Sequence, residues 1–413
     1  MNDRQRKPAP WLFLLCWATY VSAYMSRVNF SSAMEKLEGA FDADAEILGV
    51  IGGAFFLAYA VGQLVNGFLG DRMLPDKFVC IALLGTTVAN FALAASGGYW
   101  MVLVFWCLNG CFQSMFYGPL MRMLSLRYPP SMKNTLSTGM ASAIIVGYML
   151  TWTVLGRLLL GSLWRAYFFL PAMVTGGMLL LWLAVRRSPG VREMTAPEKP
   201  PRLREVLRNI IRCRLWIFAL VCFCLGMAKE SVSLWAPVLL TRLLHVEAAQ
   251  SPVYLLLFPL MNLLGILLAG WLARRCGERI RLPLLGLFAA AAACALLLLL
   301  PGLPAGLAAL LMAAFSALFY GCQNILLGIV PLAFARTGMI STLVGIFDFS
   351  SYAGAALSSV LLSLLLAGGG SMGQIALYWT VIAAAAGLFS AAVRLHMPEK
   401  NQERSETYVK HGA

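Results

Sequence analysis

The sequence predicts an all-α membrane protein whose twelve transmembrane helices form two pseudo-symmetric six-helix bundles. Three observations carry that prediction. Of the 413 residues 60% are hydrophobic and 12% charged, with a mean hydropathy of +0.77, outside the range of ordinary soluble domains. The apolar residues gather into runs close to the ~20 residues that cross a bilayer. Landmarks also recur half a chain apart: Arg27 is answered 202 residues later by Lys229, and Gly67-Phe-Leu-Gly-Asp71-Arg72 is answered 203 residues later by Gly270-Trp-Leu-Ala-Arg274-Arg275. Parallel halves of this kind are a known transporter plan, with the ligand held at their interface near mid-membrane.

In chain order, Arg4, Arg6 and Lys7 precede the first apolar run. That run is too long for a signal peptide and lacks a small-residue cleavage site, so it reads as a retained span over 10–34. Glu35, Glu38, Asp42 and Asp44 mark the first outer loop. The second span ends near Gly70, with Tyr59, Gln63 and Asn66 on one face. Spans over 77–96, 99–126, 133–160 and 164–186 complete the first half. Basic, proline-rich residues follow, including Pro197, Pro200 and Pro201, and suit a linker. The second half supplies 215–241, 251–275, 281–301, 304–335, 338–367 and 372–396. The organisation is therefore a bundle over 1–187, a cytoplasmic linker over 188–212, a bundle over 213–397 and a cytoplasmic tail over 398–413. Basic residues crowd the N-terminus, the loops after the second, fourth and eighth spans, the linker and the tail, which places both termini in the cytoplasm.

The formal charge of +14 is accounted for by those loops, so nucleic acid is not an expected partner. Ten cysteines lie in or beside apolar runs without metal-ligand spacing and read as small core residues. His245, His396 and His411 fall at span ends or in the tail, so no nucleophile and base, metal cluster or cofactor motif emerges. Enzyme chemistry has no seat here. Three of the outer loops carry no charge, which favours transport over adhesion.

Chemistry concentrates instead inside the spans. Arg27 lies within the first apolar run, where a guanidinium costs from ~3 to more than 10 kcal/mol and marks a bundle interior or a wet cavity. Tyr20, Tyr24, Arg27 and Ser31 recur at helical spacing and share one face. Lys229 is the second intramembrane cation, expected to face Arg27 across the axis. Successive helix residues point about 100° apart, so only one of Lys229 and Glu230 is expected to face that axis. Asp348, inside the eleventh span, reads as a proton relay or as the partner of a cation. Tyr59, Gln113, Gln323 and Asn324, with Tyr20 and Tyr24, are expected to shape the cavity, while Asn66, Asn109 and Ser351 read as interhelical glue. Gly67, Asp71 and Arg72 end the second span. An acid at a helix C-terminus is unfavourable unless paired, and pairing with the other half makes this loop a gate.

These residues resemble the Major Facilitator Superfamily, whose loop between the second and third spans carries a glycine, aspartate, arginine and basic pattern. Gly67, Asp71, Arg72 and Lys77 match it loosely, because Met73-Leu-Pro-Asp76 replaces the usual second glycine and arginine pair. Within the superfamily the chain resembles the organophosphate:phosphate antiporters, which exchange glycerol-3-phosphate or hexose phosphates for phosphate. The likeness runs through Tyr24, Arg27, Asn29, Phe30, Ala33 and Met34, then Gly110, Phe112, Gln113, Met115, Pro119 and Arg122, then Trp235, Pro237 and Leu240. There are departures. The family's paired arginines bind phosphate; Arg27 matches the first, but Lys229 stands at the second, with Glu230 beside it. Ile144 stands near the family's histidine and Gln63 at its lysine, while Tyr59 is kept. Lysine cannot reproduce the bidentate arginine fork.

The resemblance implies a major facilitator fold. The function expected is a secondary active transporter of a small organic anion, namely a sugar acid, carboxylate or phosphate ester, by alternating access. Organophosphate/phosphate antiport and a transporter-like membrane sensor stay open beside it. Arg27 is expected to carry the anion with Lys229 assisting, without metal or cofactor, in a monomer in a bacterial cytoplasmic membrane. The coupled ion is a proton, through Asp348 or Glu230, or phosphate. If Arg27, Lys229, Glu230 and Asp348 all line the cavity ionised, their charges cancel, and protonating one acid leaves a site suited to a monoanion.

Overall fold

The structure, a computed structural model, describes residues 10–70, 73–128, 132–186, 211, 214–276, 279–330 and 340–392. Among these the regular structure is helical. The first half comprises α1 (Pro10–Phe41), α2 (Ala45–Gly70), α3 (Pro75–Ala94), α4 (Tyr99–Gln113 and, after a break, Tyr117–Arg127), α5 (Lys133–Met149, continuing to Leu158) and α6 (Ala166–Val185). The second comprises α7 (Leu215–Val238 with a wide turn Leu239–Leu243), α8 (Ser251–Cys276), α9 (Arg281–Leu297), α10 (Ala305–Gln323 with a wide turn Asn324–Ile329), α11 (Ile340–Ala367) and α12 (Met372–Ala392). Ten of these are long and apolar enough to cross a membrane. The other two are α1, which buries Thr19, Ser22, Ser26, Arg27, Asn29 and Ser31 among its apolar residues, and α9, whose 17 residues rise only about 25 Å.

Local chemistry sets the ends. Leu74 is extended and Pro75 opens α3, where a missing N–H costs no helical bond. Pro119 interrupts α4 at Ser114–Phe116, because its ring clashes with the carbonyl four residues back. Gly369 closes α11 with φ of 73°, while Gly370 N–H bonds Leu365 O at 2.8 Å and Gly369 N–H bonds Leu366 O at 3.1 Å. That is the paired pattern of a glycine-closed helix end. Helix α1 runs past the expected residue 34 to Phe41, since nothing breaks it before Asp42, which turns left-handed at φ of 48°. Glu35 and Glu38 therefore stand on the helix rather than in a loop. Helix α9 ends at Leu297 rather than near 301, with Leu298–Leu300 turning away.

Large apolar side chains face outward, as a lipid-facing surface requires; Leu388 is 74% exposed. Inside, small residues admit close backbone approach, the usual packing device of membrane helices. A methyl on Gly226 of α7 would overlap the Ser351 carbonyl of α11, and one on Gly354 would overlap that of Phe223. Polar glue also ties the first half together. Asn29 Nδ2 donates to Asn90 Oδ1 at 2.8 Å, Asn90 Nδ2 to Asn109 Oδ1 at 3.3 Å, and Asn109 Nδ2 to the Ser26 carbonyl at 2.8 Å.

The two halves meet along α2 and α11, α1 and α7, and α5 and α8. Ser359 donates to the Gly49 carbonyl at 2.8 Å, Trp152 meets Phe258 edge-on at 5.9 Å, and Tyr59 lies 4.3 Å from Tyr352 ring to ring. Near the loop between α1 and α2, Arg242 pairs with Glu38 and Thr241 donates to Glu35. These contacts run from that loop down to the level of Arg27.

Candidate functional site

Arg27 projects from α1 into the seam between the halves, where it is 8% exposed. Its Nη2 donates to the Tyr352 hydroxyl on α11 at 2.7 Å and lies 4.0 Å from Glu230 Oε1 on α7. Lys229 Nζ approaches that same oxygen at 2.6 Å. Two cations from opposite halves thus converge on one carboxylate, and the three charges sum to +1. A buried pair of this kind is costly to break, about 3–5 kcal/mol, because the remaining charge is left uncompensated. The Tyr352 hydroxyl also lies within hydrogen-bonding reach of Glu230, which gives it an acceptor role toward the guanidinium and a donor role toward the carboxylate.

Aromatic rings complete the enclosure. The guanidinium stands 4.5 Å from the Tyr59 centroid, 4.9 Å from Tyr352, 5.4 Å from Tyr24 and 5.6 Å from Phe55. The Lys229 ammonium stands 4.9 Å from Tyr320 and 5.9 Å from Tyr352. Each such contact contributes ~0.5–2 kcal/mol and offsets part of the desolvation. A narrow cavity adjoins the cluster toward the α1–α2 loop, its wall including Arg27, Ser31, Phe55, Tyr148, Glu230 and Ser233.

Lys229 and Glu230 both reach the seam, where adjacency on one helix suggested only one could. The 100° rule governs where Cβ bonds point, and both side chains are long enough to bend back and meet. Two buried cations also demand an anion there. Asp348 stands one helical turn before Tyr352 on α11, half-buried. It makes no hydrogen bond or ion pair among the described residues, yet it lies within electrostatic reach of Lys229, Arg27 and Glu230.

The remaining expected residues divide. Tyr24 and Tyr59 flank Arg27, and Gln63 Nε2 donates to the Tyr59 hydroxyl at 2.8 Å. Tyr20 is one layer removed, packed on Tyr24 at 5.1 Å and Tyr117 at 5.5 Å. Gln113 is turned to structure, since its Nε2 donates to the Ala23 carbonyl at 3.0 Å and ties α4 to α1. Gln323 keeps Oε1 buried without a hydrogen-bond partner. Asn324 opens the wide turn of α10 beside Gly270 and Gly328, and it makes no contact with Arg27 or Lys229 among those described. Gly67 lies in the last turns of α2, while Asp71 and Arg72 fall outside the described residues. Sequence reasoning left Tyr352, Tyr320 and Phe55 out of the site. Tyr352 had a signal, its spacing of four from Asp348, which puts both on one face; Phe55, apolar in an apolar run, had none.

Comparison with known proteins follows the same lines. The Major Facilitator Superfamily pattern matches residues 16–359. The chain is 25% identical over 304 residues to the "Probable hexose phosphate transport protein" of Chlamydia pneumoniae, a match covering 67% of each chain. It is 24% identical over 294 residues to the "Phosphoglycerate transporter protein" of Salmonella typhimurium, covering 64% of this chain and 63% of that one. It is 22% identical over 297 residues to the "Membrane sensor protein UhpC" of Escherichia coli, covering 68% of each. The chain thus spans about two thirds of the length of these relatives. Among solved structures, a D-xylose-proton symporter superposes with a TM-score of 0.74 at 14% identity, covering 92% of this chain and 96% of that one. The peptide transporter POT in complex with sulfate gives 0.73 at 14%, covering 95% and 97%. At such identities the likeness is one of fold alone.

Proposed function

The chain belongs to the Major Facilitator Superfamily, and from that premise we propose that it is a secondary active transporter of a small organic anion. It works by alternating access between the bundles 1–187 and 213–397, joined by the linker 188–212. One observation carries the reading: Arg27 of the first bundle and Lys229 of the second converge on a single carboxylate oxygen. An anion held by both bundles interacts differently with each facing state, which is what couples binding to their relative motion. Relatives named for hexose phosphate and phosphoglycerate transport support a sugar acid, carboxylate or phosphate ester as substrate. Tyr24 and Tyr59 wall the site, Tyr20, Gln323 and Asn324 shape its approaches, Gln113 holds α4 to α1 behind it, and Gly67, Asp71 and Arg72 gate the opposite end.

The coupled ion is a proton, and Asp348 is its carrier. Glu230 is engaged by Lys229 at 2.6 Å, whereas Asp348 has no hydrogen-bond or ion-pair partner among the described residues and can take up and release a proton without breaking one. The test is uptake into proteoliposomes of 3-phosphoglycerate, glucose 6-phosphate, gluconate and sulfoacetate under an imposed pH gradient, with no internal substrate. Accumulation driven by an inward proton gradient supports symport. Accumulation only with preloaded phosphate makes the protein an organophosphate/phosphate antiporter. A second reading, a membrane sensor of an organic anion, is favoured by the match to UhpC, and anion binding without any flux would establish it.

A further inference from the structure

We propose that Glu230 is a tethered stand-in for the anionic head of the substrate. Its carboxylate takes the seat between Arg27 and Lys229 whenever the substrate leaves, and so lets the unloaded carrier change its facing state. The inference rests on the reading of those two cations as the anion site. Glu230 Oε1 stands 2.6 Å from Lys229 Nζ and 4.0 Å from Arg27 Nη2, with the Tyr352 hydroxyl beside it. A substrate oxygen bound between the cations would stand where Oε1 stands, so the two anions exclude each other. The displaced carboxylate has somewhere to go, because Glu230, Ser233 and Tyr148 line the same adjoining cavity.

The physical need follows from charge. Two buried cations on opposite halves repel across the seam, and removing their anion leaves both desolvated and uncompensated. An unloaded carrier without an internal anion is therefore held where water or a second substrate can neutralise the pair, and it works only by exchange. A carboxylate anchored one residue from Lys229 acts at high effective concentration and removes that restriction. Net one-way transport becomes available, and the substrate must compete with Glu230 to bind.

The experiment reads the unloaded protein, so it needs no identified substrate. Spin labels on bio-orthogonal side chains at exposed positions 46 and 247, on either side of the seam, report their separation in lipid nanodiscs by electron–electron double resonance. Wild type is expected to show two distance populations. Glu230→Gln should shift their ratio by about tenfold or more toward one of them, and inorganic phosphate should restore the second in that variant while changing wild type little. A single population in wild type, or unchanged weights in Glu230→Gln, overturns the proposal. Should Glu230→Gln fail to fold, Glu230→Asp, with the charge kept on a shorter arm, should give both populations, and the wild-type distribution decides independently. The anion-site reading fails on a different readout, uptake that persists in Arg27→Lys within about twofold of wild type, so the two failures are distinguishable.

Discussion

Arg27 on α1 and Tyr352 on α11, 325 residues apart in the chain, are joined by a hydrogen bond of 2.7 Å that crosses the seam between the two halves. Tyr352→Phe keeps the ring that packs on Tyr59 and removes only the hydroxyl. A hydrogen bond to a charged group contributes about 1.5–3 kcal/mol net, so KM for uptake should rise by about tenfold or more, with protein yield near wild type. An unchanged KM would mean that the hydroxyl is incidental to the site.

Arg27→Lys should abolish uptake while leaving expression and monodispersity intact. Lysine keeps the charge but loses the planar fork and its stacking on four rings. Initial rates in proteoliposomes decide this, and uptake within about twofold of wild type would remove Arg27 from the anion site.

Proton coupling has a signature of sign. In wild type, accumulation should grow as the external pH falls below the internal one, because the inward gradient loads Asp348 from outside. Asp348→Asn should leave downhill flux and erase that dependence. Equal accumulation with and without the gradient in wild type, or gradient-driven accumulation surviving in Asp348→Asn, would remove Asp348 from coupling.

The pair Glu38–Arg242 closes the seam near the α1–α2 loop, where both side chains are about one-third exposed. Pairs at such exposure contribute ~0.2–1 kcal/mol, so Glu38→Gln should raise the labelling rate of a cysteine at Ser31, on the cavity wall, by only about 1.5- to 5-fold. The swap Glu38→Arg with Arg242→Glu should bring it back. No change in Glu38→Gln would mean that the closure does not depend on the pair.

What could be read in advance was what stands out against an apolar background. Arg27 and Lys229 are charges inside hydrophobic runs, and no packing argument accounts for them. Glu230 was harder, since helix periodicity describes the direction of a Cβ bond and not where a long side chain ends. Gln113 was harder still. A polar group near a bundle centre serves a ligand or a neighbouring carbonyl according to which is nearer, and here the Ala23 carbonyl is near. Glu35 and Glu38 read as loop by composition, yet a helix stops only where something stops it, first at Asp42. Phe55 carried no signal at all, because a ring beside a cation is visible only once the helices are packed.

Gly226 and Gly354 bring the backbones of α7 and α11 so close that a methyl on either would overlap a carbonyl of the other helix. The consequence is leverage. The backbones that carry Tyr352 and Glu230 pack as one jaw, and Arg27 on the opposing jaw meets both side chains. A displacement of one backbone is expected to carry the other, so a reporter on either helix reads the position of both.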